Sequence, residues 1–386
     1  MNAQNRHLPR PPRRSKASLI TLIMLAFLLL AAAVALAVSM PEETILPDTS
    51  VPLATVAVSD AGFDSDPVEA QKLYPFGQGV VKLTNNRLSY LAIDGSEVYA
   101  VEIDMASPYA SIGGNRLVAA DREGPSFVVI DETGILFKGS QEGRVVGISQ
   151  HQDKLLALVE DRHNSTGVVS VLDGATGQLQ YECHFPESGY VLQTAFTPDG
   201  SSFDVVLANT DHAAVKTLIK RFAADGEASG QRLLTEDGLF PALLYDLSGE
   251  PVLASDNRLI GLAYDREDLR FATDLAKIEA VVATEAGPVV LASDRLGGKL
   301  GLYTLGSDGS LGIRVEVGEA ATPLTVDGTR VALGSGTRVL VYDAKASQMV
   351  LDSNLAEDIV RVGFAGPDSL TLVTAGGVRR IGLDSP

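Results

Sequence analysis

The chain of 386 residues has no tryptophan and one cysteine, Cys183. A single thiol cannot close an intrachain disulfide, which excludes a disulfide-stapled secreted scaffold and leaves the compartment open. A buried cysteine behaves as a small apolar side chain, whereas a reactive one needs a nearby cation. His184 adjoins it in sequence, but neighbours on a strand point to opposite faces. The side chain favoured for stacking on sugars is missing with tryptophan, although tyrosine can serve instead.

Histidine is scarce as well: His7, His151, His163, His184 and His212. None shows the helical i,i+4 spacing or the Cys/His clustering of a zinc site. There is no Gly-x-Ser-x-Gly elbow and no phosphate loop ending in Gly-Lys-Ser/Thr; residues 296–300 (LGGKL) read as a hairpin turn. Asp64-Ser65-Asp66 lacks the glycine and further oxygen ligands of a calcium loop. The sequence therefore assigns no catalytic, cofactor-binding or metal-ligating residue. No cofactor and no enzymatic activity are expected.

Charge is lopsided. Residues 1–18 hold Arg6, Arg10, Arg13, Arg14 and Lys16 with no acid, leaving 26 of the 31 basic residues against all 49 acidic ones. Such an acidic body repels phosphate backbones and anionic headgroups, which disfavours nucleic acid as a partner.

What is present is first an apolar run. Residues 19–38 (LITLIMLAFLLLAAAVALAV) contain one polar residue, Thr21. As a helix the run spans roughly 30 Å, the thickness of a bilayer's hydrocarbon core. With the cations on its N-terminal side, the positive-inside rule puts the tail 1–18 in the cytoplasm and the body outside. A cleaved signal peptide is the competing reading, since 33–35 and 35–37 fit a small-x-small site. Signal cores are usually only about 7–15 residues long, so a retained anchor is expected. No cysteine lies near the end of the run, which excludes a lipoprotein. Residues 39–70 read as an extracytoplasmic stalk, within which 51–58 (VPLATVAV) is rich in β-formers.

The body, 71–386, repeats. Residues 251–259 (PVLASDNRL) recur as 288–296 (PVVLASDRL), with Ser255 and Ser293 38 residues apart. Residues 196–200 (FTPDG) resemble 364–368 (FAGPD). A strand ending in aspartate and then turning recurs at Asp94, Asp131, Asp173 and Asp343. The clearest copy is 171–181, VLDGATGQLQY. These are hairpins, and they divide the body into units near 71–104, 105–143, 144–188, 189–236, 237–276, 277–317, 318–356 and 357–384. Four-strand units of this period predict an all-β fold, a β-propeller of eight four-stranded blades, with seven as the alternative. Small residues on the innermost strands (Ala110, Gly147, Ala195, Ala280, Gly363) suit convergence on an axis. The last unit shows three strands, so 51–58 is the candidate for a ring-closing fourth.

The order of basic tail, single anchor, Phe63-Asp64-Ser65-Asp66-Pro67 and then 74–83 (YPFGQGVVKL) resembles a family of single-pass membrane-anchored propellers of Gram-positive bacteria, known as a domain of unknown function. The resemblance implies fold and topology and carries no active site. The blades are also similar to quinoprotein-type and WD40-type repeats. In the former a tryptophan follows the Thr-Gly pair and docks between blades; here Tyr181, Tyr99 and Phe137 stand at the equivalent positions. The resemblance also implies a vicinal disulfide at the quinone site, which one cysteine cannot form, so a quinone-dependent dehydrogenase is disfavoured.

Two functions fit. One is a non-catalytic protein-interaction scaffold at the cell envelope, its partner an unidentified envelope protein. The alternative is a sensor or enzyme binding a small molecule or glycan in the central channel, where residues converging from several blades leave no local motif.

Overall fold

Val289-Val290-Leu291-Ala292 is apolar at every position, a pattern that suits a strand covered on both faces. In the computed structural model Val289 and Leu291 pack toward the next sheet, while Val290 and Ala292 pack toward the previous one. The structure describes residues 58–383 apart from 152–154, 163–164, 187–188, 212, 236–237 and 313. The expected tail, anchor and stalk residues 39–57 lie outside the described residues. Among those described, no helix is long and apolar enough to cross a membrane.

Eight four-stranded antiparallel sheets form eight blades. Blades 1 to 7 span 73–102, 108–140, 144–184, 190–233, 242–274, 277–318 and 325–354. Each agrees with an expected unit to within a few residues. Within a blade the strands run outward in chain order, and the first strands of neighbouring blades touch around the axis. Eight apolar clusters occupy the joints between blades. Each buried Val, Leu or Ile contributes on the order of 1.5–3 kcal/mol, so these clusters supply most of the stabilisation.

The recurrent motifs fall at equivalent places. The 251–259 and 288–296 copies form the second strand and following turn of blades 5 and 6. The 196–200 and 364–368 copies join first to second strands in blades 4 and 8, and the aspartate turns join third to fourth strands in blades 1, 2, 3 and 7. In VLDGATGQLQY, Asp173 Oδ1 accepts from the Ala175 and Thr176 amides and the Thr176 hydroxyl at 2.8–3.0 Å. Gly177 then takes φ +72°, open to glycine at little cost.

That glycine has a second role. A Cβ on Gly177 would strike the Phe137 ring, which comes from the outer strand of the preceding blade. Gly226 meets Tyr181 in the same way, Gly309 meets Phe271 and Gly95 meets Phe63. The Tyr181 hydroxyl also donates to Ala224 O at 2.8 Å, and Tyr99 donates to Asp131 O. The residues standing where tryptophan was expected therefore do dock between blades. At the joint of blades 4 and 5 an arginine substitutes: Arg232 donates to Ala263 O and Arg266 O at 3.1 and 3.2 Å.

Blade 8 comprises Ile359–Phe364, Ser369–Thr374, Gly377–Gly382 and, outermost, Val58–Asp64. The ring is closed by a strand from the N-terminal side of the body. Of the expected segment 51–58 only Val58 belongs to the described strand, which runs on into residues expected as stalk. Pairing with Gly377–Gly382 and seating of Phe63 on Gly95 fix its position. The next residues also belong to the body: Asp66 caps a one-turn helix, Pro67–Ala70, accepting from the Val68 and Glu69 amides.

The two glycines among the small inner residues differ in what keeps them small. A Cβ at Gly363 would meet Pro75 of blade 1, a true convergence. Gly147 faces Val159 of its own blade, so its size answers to the sheet rather than the axis.

A fully buried charge lies at the joint of blades 4 and 5. Asp204 receives both Arg221 Nε and Nη2, at 2.9 and 2.8 Å, and the hydroxyls of Tyr264 and Tyr245 at 2.9 and 3.0 Å. Arg221 also lies 4.3 Å from the Tyr264 ring centroid. The pair ties blade 4 to blade 5, and every oxygen is satisfied.

Two outcomes follow. Asp204→Ala leaves the partly buried Arg221 guanidinium and two tyrosine hydroxyls without their acceptor and should lower the unfolding free energy by about 2–4 kcal/mol in urea titrations; a loss below about 1 kcal/mol would contradict the network. Hydroxyls of Thr176, Ser96, Ser310 and Thr197 hold the carboxyls of Asp173, Asp94, Asp308 and Asp199 below their ordinary 3.8, Asp199 at about 2. With folded values depressed, their stabilisation is present above the unfolded value and disappears as pH falls through the folded one. Urea midpoints should therefore drop between about pH 4 and pH 2, less steeply in Asp199→Asn.

Candidate functional site

The inner strands do not meet at a point, and among the described residues they leave a well-lined cavity. Its volume is about 950 Å³, and blades 1, 2, 7 and 8 line it. Tyr74, Ile112, Leu324, Val326 and Phe364 supply most of the apolar wall. Ile112 and Val326 are 47% and 36% exposed and line the opening.

The segment Tyr74-Pro75-Phe76-Gly77-Gln78 forms one side. Its sequence is explained by the joints it makes. Gly77 has φ +53°, and a Cβ there would collide with the Glu132 carboxylate of blade 2. Glu132 Oε2 accepts from the Gln78 amide at 2.8 Å and from the Tyr90 hydroxyl at 3.0 Å. Gln78 Nε2 donates to Ala365 O of blade 8 at 3.2 Å, and Arg380 donates to Gln78 O and Oε1 at 2.7 and 3.1 Å. One glutamine thus binds three blades at the seam. Burial, followed by the Glu132 hydrogen bond and charge, pushes the Tyr90 phenol well above its ordinary range.

The charged groups on the wall are engaged within the protein. Arg361 donates to Leu73 O at 3.1 Å and lies 4.2 Å from the Tyr74 ring centroid. Arg330 pairs with Asp327 at 2.5 Å. What the cavity offers a visitor is apolar surface, backbone and the polar side chains of Asn115 and Thr325, with no nucleophile set beside a base among the described lining residues. Among the described residues no group of three or more His, Cys, Asp or Glu is placed to hold a metal ion.

The other residues weighed in the sequence lie elsewhere. Cys183 is buried in the joint of blades 3 and 4, where burial pushes its thiol up to about 11. His151 is buried against Phe196, and His184 is exposed 3.1 Å from Glu182. His163 and His212 lie outside the described residues. Phe63-Asp64-Ser65-Asp66-Pro67 is a closing and capping element: Phe63 covers Gly95, Asp64 pairs with Arg379 at 2.9 Å, and Asp66 caps the short helix. The central channel was expected as one candidate, but its wall residues were not assigned, because they are separated by up to about 290 positions. Only the exposed-side β-branched pair, Ile112 and Val326, hinted at it, and such residues are common on strands.

Gly77→Ala should displace Glu132 and adopt an unfavourable φ, lowering stability by about 1–3 kcal/mol. In a double-mutant cycle with Glu132→Ala the cost should shrink, because the carboxylate is then absent; strict additivity would contradict the assignment.

The model of a family described as "Family of unknown function (DUF5711)" matches residues 56–383. No curated protein matches the chain. Among solved structures, BamB from Moraxella catarrhalis is similar over 86% of this chain and 99% of its own, with TM-score 0.51 and 13% identity. The computationally designed Ika8 protein gives 0.58 and 14% over 86% and 99%. The C-terminal WD40 domain of Sif2 gives 0.58 and 12% over the same shares. At these identities the likeness shows the propeller fold alone.

Proposed function

The chain belongs to the DUF5711 family of unknown function, and from that premise we propose that it is a membrane-anchored scaffold whose propeller, on the outer side of the membrane, binds a protein partner at the envelope and catalyses no reaction. The observation that carries this reading is the axial cavity, whose wall sets apolar side chains beside polar ones and whose Arg361 and Asp327 are engaged within the protein. A socket of mixed character in a rigid ring suits an anchoring side chain of a partner that is apolar in body and polar at its tip, the kind of contact that dominates protein interfaces. The basic tail and apolar run of residues 1–38 support the tether and its direction.

A second reading rests on volume. At about 950 Å³ the cavity lies within the usual range of small-molecule sites, which favours a sensor or enzyme with a small apolar ligand or glycan in the channel.

Topology can be tested directly, because Cys183 is buried. Leu296→Cys, at an 89% exposed turn, should react with a membrane-impermeant maleimide on intact cells. Labelling only after lysis would overturn the outward orientation. For the partner, a photo-crosslinking residue at Ile112 or Leu296 in native membranes should trap a defined protein from at least one position. Failure at both, with a small molecule co-purifying instead, would select the second reading.

A further inference from the structure

Three charged side chains line the axial cavity: Glu132, Asp327 and Arg361. Asp327 is paired with Arg330. Glu132 accepts from the Gln78 amide and the Tyr90 hydroxyl, while Arg380 donates to the carbonyl of the same glutamine. Arg361 is different. Its partners are the carbonyls of Leu73 and Ala70 at 3.1 and 3.4 Å, both through Nη1, and the Tyr74 ring at 4.2 Å. Among the described residues no carboxylate pairs with it, and an arginine keeps its charge.

Nε and Nη2 form the side edge of that guanidinium, an edge that suits both oxygens of a carboxylate in parallel. Neither donates to a described group, and both remain accessible on a residue that lines the cavity. Stacking on Tyr74 fixes the plane in which an anion would approach.

The position of this edge limits what can reach it. Arg361 lies two residues after the start and three before the end of Ile359–Phe364, roughly 7–10 Å from either end of the strand. An aspartate or glutamate carries its carboxyl only roughly 3–5 Å from its own backbone. A polypeptide lying across the opening therefore falls short, whereas one entering end-first reaches.

Charge and lining narrow the choice further. Two carboxylates share the wall, and the chain holds 49 acidic residues against 31 basic ones, so a multiply charged anion is repelled. Ile112, Val326 and Phe364 offer apolar contact, while the Asn115 amide and Thr325 hydroxyl make no hydrogen bond to a described group. A peptide backbone can pair with those two; a bare hydrocarbon body would leave them unpaired.

We propose that the cavity receives the C-terminus of a partner polypeptide, its terminal carboxylate held side-on by Nε and Nη2 of Arg361. The apolar side chains of its last residues rest on Ile112, Val326 and Phe364. The proposal rests on the scaffold reading and names the group by which the partner is held.

The test uses the full chain in nanodiscs of zwitterionic lipid and N-terminally fluorescent hexapeptides ending in valine and leucine, read by anisotropy. The free acid should bind at least ~10-fold more tightly than the same peptide with an amidated C-terminus. Arg361→Gln should abolish that preference, so that acid and amide bind alike within about 2-fold. Ile112→Trp, checked for an unchanged thermal midpoint, should weaken both peptides ~10-fold or more, and Leu296→Trp neither. The comparison of acid with amide on the unaltered protein decides even where Arg361→Gln fails to fold. Isocaproate, which is the leucine end without a chain, should displace the acid peptide only at ~100-fold higher concentration. Equal binding of acid and amide, no binding of either, or an acid preference that survives Arg361→Gln would each overturn the proposal. Displacement by isocaproate at the peptide's own concentration would overturn it in favour of the small-molecule reading. A protein crosslinked at Ile112 alongside any of these results keeps the scaffold reading and removes only the chain end; no crosslink at Ile112 or Leu296 removes the scaffold reading itself.

Discussion

The contact on which the ring depends is an aromatic ring laid over a glycine of the next blade's turn. Phe137 on Gly177, Tyr181 on Gly226, Phe271 on Gly309 and Phe63 on Gly95 repeat it around the circumference. Each glycine is doubly constrained, by its positive φ and by the ring above it. The aromatic sets the distance between outer strands, and the apolar clusters inside each joint fill the space so defined. The contact is made at four of the eight joints; at one that lacks it, between blades 4 and 5, polar contacts compensate: Arg232 grips the facing carbonyls, and Asp204 with Arg221 and two tyrosines crosses the joint from within. A joint can thus be built from apolar area or from a satisfied ionic network, and this chain uses both.

The period of the strands was legible because each blade's middle strands are buried on both faces and must be continuously apolar between turn residues. That pattern located all eight blades and the equivalent turns within them. The closing strand was harder to read. Val58–Asp64 (VSDAGFD) carries serine, two aspartates and a glycine, poor β-formers whose conformation is imposed by the partner strand and by Phe63. Asp204 was illegible for a related reason. An aspartate amid Phe203, Val205 and Val206 gives no local sign that Arg221, Tyr245 and Tyr264 will gather around it.

The two segments that carried the family resemblance have a shared explanation. Residues 63–67 and the first half of 74–83 lie at the seam where blade 8 meets blade 1, and most side chains there are occupied by closure, capping or the bonds radiating from Gln78, while Val81 and Leu83 pack into the joint of blades 1 and 2. Recognisable sequence therefore marks the place where the architecture is most demanding. The candidate site owes its character to that demand, since the same inner strand that joins three blades through Gln78 also offers Tyr74 to the cavity.

The pairing of Val58 with Ile381 also governs how the molecule comes into being. The first described strand of the body has its partner more than 300 residues later, the most non-local strand pairing among the described residues. Loop-closure entropy opposes such a pairing until the intervening blades have condensed, and folds dominated by non-local contacts are slow. During synthesis the strand waits with its Phe63 ring uncovered, exposed to mispairing with any passing edge. The weak β-character of VSDAGFD then becomes an advantage: a strand that forms only against its rightful partner is a poor seed for aggregation while the ring is still open.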